Sequence, residues 1–195
     1  MKPKVLAVVP ARAGSKRLPQ KNIKLLNGLP LIAHTFEAIK DSKYISATIA
    51  TSDCPTVLNI SAQYVNTYPL NRPVELAVDT ASTADVVLHA VEYAKQFEEF
   101  DVVCLLQPTS PLRTTLDIDS AIALYIEKQA KGVVSMTKCE HSPLWATPLD
   151  TPNEFKSFIK GLTNARSQDL KEFYQLNGAI YLVDHNVLID TKKYF

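Results

Sequence analysis

The chain predicts an open, mostly parallel α/β sheet with helices on both faces. Three features carry that prediction. Short apolar runs of buried-strand length, Val5–Val9 and Asp101–Leu106, alternate with amphipathic helical segments. Both runs empty into polar loops, as parallel strands do where their carboxyl ends face a ligand. The first loop gathers Gly14, Ser15, Arg12, Lys16, Arg17, Lys21 and Asn22 within a dozen residues, a composition suited to a polyanion. A solvated basic surface loop is the competing reading, and its place after the first strand favours phosphate. Neither GxxxxGK[ST] nor GxGxxG is present.

Taken in order, Val5–Val9 is strand-like and Pro10, lacking an N–H, ends its ladder. Pro30 suits a helix start, and Leu31, Ile32, Thr35, Phe36 and Ile39 recur at helical spacing. His34, within that helix, has no partner at metal spacing and reads as a partly buried surface residue. Ser46–Thr51 is a second strand; Asp53 caps a helix beginning at Pro55, and Thr56–Tyr64 returns the chain to the sheet. Asn66–Asp79, with Pro69 and Pro73 and no period, is expected to be a loop on the ligand side. Ser82 to Asp85 resembles a capping box, followed by a helix burying Val86, Val87, Ala90, Val91 and Ala94. Free N–H groups beside Ser82 and Thr83 would favour an anion, although capping alone explains Ser82 equally well.

Asp101–Leu106 is the next buried strand, and Gln107 to Arg113 forms a loop stiffened by two prolines. Thr115–Glu127 is a helix with Ile118, Ala121, Ile122 and Tyr125 as its inner stripe, and Gly132–Thr137 a strand. The rhythm breaks at Glu140–Glu172, read as a hairpin-like excursion that exposes Leu144, Trp145, Phe155, Phe158 and Ile159. Apolar groups that the core cannot take point to a symmetric dimer. Asn177–Val183 re-enters the sheet, and Val187–Phe195 is weakly signalled.

With 195 residues, one domain spanning 1–195 is the economical organisation, with 140–172 as its dimerisation excursion. Net charge is +1, so general attraction to nucleic acid or anionic membrane is not expected. Cys54, Cys104 and Cys139 are odd in number and far apart, which reads as reduced thiols, not a disulfide framework or zinc site. With no signal-type segment and no uninterrupted apolar run of about 18 residues, a cytoplasmic location is expected.

Four stretches in order, PARAGSKRLPQKN, RPVELAVDTAST, LLQPTSPLR and LNGAIYLV, resemble the motifs of the acylneuraminate cytidylyltransferases, the CMP-sialic acid synthetases. The resemblance covers most of the chain. It implies a Rossmann-like nucleotide-diphospho-sugar transferase fold that activates a nonulosonic acid with CTP, releasing pyrophosphate, with Mg2+ and as a homodimer. Carried over by motif, Ala11, Arg12, Ser15, Lys21, Asn22, Arg72, Ser82 and Thr83 are expected to bind CTP. Arg12, Lys21 and Gln107 are expected to serve catalysis, and Gln107, Thr109, Ser110, Arg166, Gln168 and Tyr181 to face the sugar.

Three departures bear on this. The family usually has Arg-Gln where Ser167-Gln168 stands, and often Arg where Gln175 stands. Its aspartate-rich strand motif, which binds metal in relatives, is not reached before Phe195. The chain as given is therefore expected to bind CTP weakly and to turn over poorly, unless a carboxylate such as Asp79 does more than form a turn. The alternatives are a CMP-3-deoxy-manno-octulosonate synthetase, whose family tends to have Pro at Asn22 and an acidic loop in place of QPTSP, and an inactive nucleotide-binding dimer.

Overall fold

A computed structural model describes residues 2–16, 18–161, 166 and 170–194. The chain divides into two compact units, residues 1–135 with 178–195, and residues 136–177.

The first unit is built on β1 (Val5–Pro10), all but its last residue fully buried. It pairs in parallel with β4 (Ile45–Ser52) on one side and β6 (Val102–Leu105) on the other. The sheet order is β5-β4-β1-β6-β8-β7, where β5 is Thr67–Asn71, β7 Gly132–Lys138 and β8 Tyr174–Asp184. β8 runs antiparallel to β6, so the sheet is mixed. The remaining strands, β2 (Leu25–Leu26) and β3 (Leu29–Pro30), form a small antiparallel ribbon ahead of the first helix.

Alternation along β1 divides the core between two faces. Val5, Ala7 and Val9 pack with Ile32 and Phe36 of α1 (Leu31–Lys40), Val57 of α2 (Pro55–Ser61) and Ile118 and Ile122 of α4 (Thr115–Lys128). Leu6 and Val8 pack with Val87, Ala90 and Val91 of α3 (Thr83–Ala94) and with Leu188. Helices on both faces leave the rim where the strands' carboxyl ends reverse order around β1 open to a ligand.

Several expectations change. Thr67–Asn71 is a strand where a loop was expected, because β5 lies at the sheet edge and an edge strand tolerates Pro69. Asp53 does not cap α2; Cys54 takes that position, and Asp53 Oδ1 accepts the amide of Ala13 at 2.8 Å. The weakly signalled end contains α6 (His185–Thr191), capped by Asp184 Oδ1 through the amides of Asn186 and Val187 at 3.0 and 3.2 Å.

In the second unit the excursion contains a helix, α5 (Pro152–Gly161), where a hairpin was expected. Glu154 Oε2 accepts the amides of Asp150 and Thr151 at 2.8 and 2.9 Å, which satisfies donors that begin a helix. Leu144, Phe155 and Ile159 are exposed and Phe158 is half-buried.

Candidate active site

Four chain segments leave the carboxyl ends of β1, β4, β5 and β6, and the sequence fastens them together. Ala11 N–H extends the β1 ladder to Thr51 O at 3.0 Å, and Arg72 N–H reaches Ser52 O at 2.9 Å. Asn22 is buried, and its Nδ2 donates to Arg12 O at 3.0 Å, folding the basic loop back upon itself. The Asp53–Ala13 bond ties the same loop to the end of β4. Those ties fasten the loop at Ala13 and join its two ends through Arg12 and Asn22.

The result is a cavity of about 550 Å³, lined among others by Arg12, Lys21, Arg72, Asp79, Gln107 and Thr109. Arg72 is 6 % exposed, its guanidinium donating to Thr51 O at 2.7 Å and Thr51 Oγ1 at 3.3 Å. Burial lowers its pKa, Asp53 partly restores it and Arg12 lowers it further. Arg72 thus supplies positive charge to a wall where the bonded partners are neutral oxygens, an arrangement that favours an anion. Arg12 pairs with Asp79, and Lys16 Nζ lies 2.5 Å from the other Asp79 oxygen. The bonds from Lys16 and then Arg12 hold the Asp79 carboxyl below its usual range.

Gln107 begins the loop after β6, where Arg113 fixes the backbone. Arg113 is 7 % exposed and donates to Gln107 O at 3.2 Å, Ala179 O at 2.6 Å and Thr35 Oγ1 at 2.9 Å. Burial pushes its pKa down to about 10, so it stays a cation at neutral pH. Gly178 in β8 has φ +74°, and a Cβ there would stand 2.9 Å from Gln107 Oε1. The glycine therefore meets both a backbone and a space requirement.

Of the residues singled out from sequence, the cavity collects Arg12, Ser15, Lys21, Asn22, Arg72, Thr83, Gln107 and Thr109. Ala11 lies just beneath, buried, and Ser82 caps α3 by accepting the amide of Asp85 at 3.0 Å. Ser110 is half-buried in the Gln107 loop, its backbone bonded to Gln107 O and Arg113 N–H. Tyr181 is buried edge-on to Tyr194, its hydroxyl 4.0 Å from the position of a Gly178 Cβ. Arg166 is exposed in the second unit, and Gln168 lies outside the described residues. Arg113 and Gly178 had not been assigned a role, although both stand inside motifs that were recognised. An arginine closing a loop with two prolines and a glycine between polar and apolar halves of a strand were the available signals.

The described residues contain no group of three or more His, Cys, Asp or Glu side chains able to hold a metal ion. Asp79, the acid lining the cavity, already faces two cations. These side chains do not fit a resident magnesium ion by themselves.

A mixed α/β sheet with a cationic cavity at the carboxyl rim of β1 defines a protein of the nucleotide-sugar transferase fold. Solved structures agree on the fold. The CMP:2-keto-3-deoxy-manno-octonic acid synthetase complexed with CTP superposes with a TM-score of 0.70 at 19% identity, covering 96% of this chain and 77% of that one. The 4-diphosphocytidyl-2C-methyl-D-erythritol synthase of Anaerococcus prevotii gives 0.62 at 15%, over 98% and 74%. Residues 6–193 match the family described as Cytidylyltransferase, and the chain belongs to that family.

Among curated relatives, the CMP-N,N'-diacetyllegionaminic acid synthase of Legionella pneumophila is 34% identical over 98% of this chain and 83% of its own length. The N-acylneuraminate cytidylyltransferase of Escherichia coli is also 34% identical; the alignment covers the whole of this chain but 46% of that protein. The pseudaminic acid cytidylyltransferase of Campylobacter jejuni is 33% identical over 91% and 77%.

Proposed function

We propose that this cytidylyltransferase activates a nonulosonic acid, transferring the cytidylyl group of CTP to the hydroxyl of the cyclised 2-keto acid and releasing pyrophosphate. The observation that carries this is the shared cavity, in which Arg12, Lys21 and Arg72 stand with Gln107 and Thr109. Three relatives that differ in the acid they are named for support the same substrate class.

In this reading the reaction is attack of the acceptor oxygen on the α-phosphorus, with charge spreading toward the β- and γ-phosphates. The protein supplies placement and charge neutralisation more than covalent chemistry. Arg12 offers a planar fork to phosphate oxygens once it leaves Asp79, and Lys21 a point charge to the departing pyrophosphate. Gln107 is neutral at every working pH, so it orients the acceptor hydroxyl without taking its proton. Magnesium belongs to the proposal as an ion brought by the triphosphate, whose oxygens supply most of its ligands and whose charge it offsets.

Incubation with CTP, magnesium and a panel of sugar acids, read by mass spectrometry, tests this. The panel should contain N-acetylneuraminate, a legionaminate, a pseudaminate and 3-deoxy-manno-octulosonate. A CMP-linked nine-carbon product is expected. A product from the eight-carbon acid alone, or no CMP-linked product, would overturn the reading.

A further inference from the structure

The cavity's neutral recognition group is the Gln107 carboxamide, and what holds it in place lies outside the cavity. Gly178 faces the Gln107 side chain so closely that a Cβ would stand 2.9 Å from Oε1 and 3.7 Å from Cδ. Such an atom would meet the far end of a side chain, so the carboxamide would move before the sheet does. On the other side, Arg113 holds the Gln107 carbonyl and the carbonyl of Ala179, the residue after Gly178. One buried guanidinium therefore joins the loop after β6 to the strand carrying the glycine. The side chain is limited from β8 and its backbone is tied to β8.

We propose that Gly178 and Arg113 are positioning residues that set the direction of the Gln107 carboxamide, and through it the cavity's choice of acceptor acid. A carboxamide carries two donors and an acceptor, so its direction decides which hydroxyl pattern it satisfies. Arg72 and Lys21 stand on other segments, so nucleotide affinity is expected to be independent of this arrangement. The kinetic consequence rests on the reading that Gln107 faces the acceptor; the structural premise does not.

Two measurements test it. In 1H–15N spectra the Gln107 side-chain amide pair is identified by its loss in Gln107→Ala. That pair should shift or broaden in both Gly178→Ala and Arg113→Lys, since lysine keeps the charge but its single ammonium does not span the two carbonyls and Thr35 Oγ1 as the two terminal guanidinium nitrogens do. Unchanged resonances in folded protein would overturn the proposal. Alanine at φ +74° is strained, so Arg113→Lys carries the test if Gly178→Ala does not fold.

Kinetically, each single variant should lose on the order of 100-fold in kcat/KM for the acid, with CTP affinity within about twofold of wild type. Gly178→Ala combined with Gln107→Ala should be no worse than Gln107→Ala alone. Additive losses would overturn the proposal, because they would mean Gly178 acts on something other than Gln107. If the wild-type protein converts no sugar acid, the functional reading falls, and the spectra still decide whether Gly178 and Arg113 set the carboxamide.

Discussion

Lys21 and Arg12 offer different things to a triphosphate. Lys21 is a mobile point charge at the head of a short 3-10 turn, whereas Arg12 is a fork already held by Asp79. Replacing Lys21 with alanine is expected to lower turnover on the order of 100-fold while weakening CTP binding much less. Single-turnover kinetics beside a binding titration separate the two, and lost binding with an intact rate at saturation would contradict the assignment. Asp79 occupies the cations a phosphate would take. Asp79→Asn is therefore expected to tighten metal-free CTP binding, by up to about fivefold for pairs this exposed. Because its folded pKa is depressed, the ion pairs' contribution is present above the unfolded value and lost as pH falls through the folded one. NMR titration of the Asp79 carboxyl should place its midpoint below that of an ordinary aspartate. At this scale the basic loop was legible because charge and glycine cluster in sequence. The grip on Gln107 was not, since Arg113 and Gly178 are 65 residues apart in the chain and meet only through the sheet.

Elements were legible where one sequence signal matched one physical demand. The stripes of α3 and α4 and the apolar run of β1 met their buried faces as expected. β5 was missed because Pro69 argues against a strand anywhere but at an edge, and edges are decided by topology. α5 was missed although Thr151 and Glu154 stand at capping-box spacing, because the surrounding prolines and exposed aromatics masked the signal. α4 begins with a complete box: Asp117 N–H donates to Thr114 Oγ1 at 3.2 Å and Thr114 N–H to Asp117 Oδ2 at 2.8 Å. Thr114→Ala is expected to cost about 1 kcal/mol and to lower Tm by about 2–4 °C. Calorimetry showing no shift would mean that α4 is held by its buried face alone.

At the scale of the whole molecule, residues 6–193 carry the family's sequence and the sheet its nucleotide-sugar transferase fold. Among the described residues no helix is long and apolar enough to cross a membrane. The second unit exposes Leu144, Trp145, Phe155 and Ile159, four of the five apolar residues whose sequence suggests a symmetric partner. Sedimentation equilibrium at micromolar concentration is expected to return twice the monomer mass; a monomer that persists on concentration would remove the dimer. The central claim is narrower than any of these: the loop after β1 forms the triphosphate subsite of a CTP cavity. Calorimetric titration of CTP into wild-type protein and into Arg12→Ala tests it without requiring an acceptor acid or turnover. The account predicts saturable binding at one site per chain that weakens about tenfold or more in the variant. Equal affinity in the two proteins, or no binding to the wild type, would contradict it.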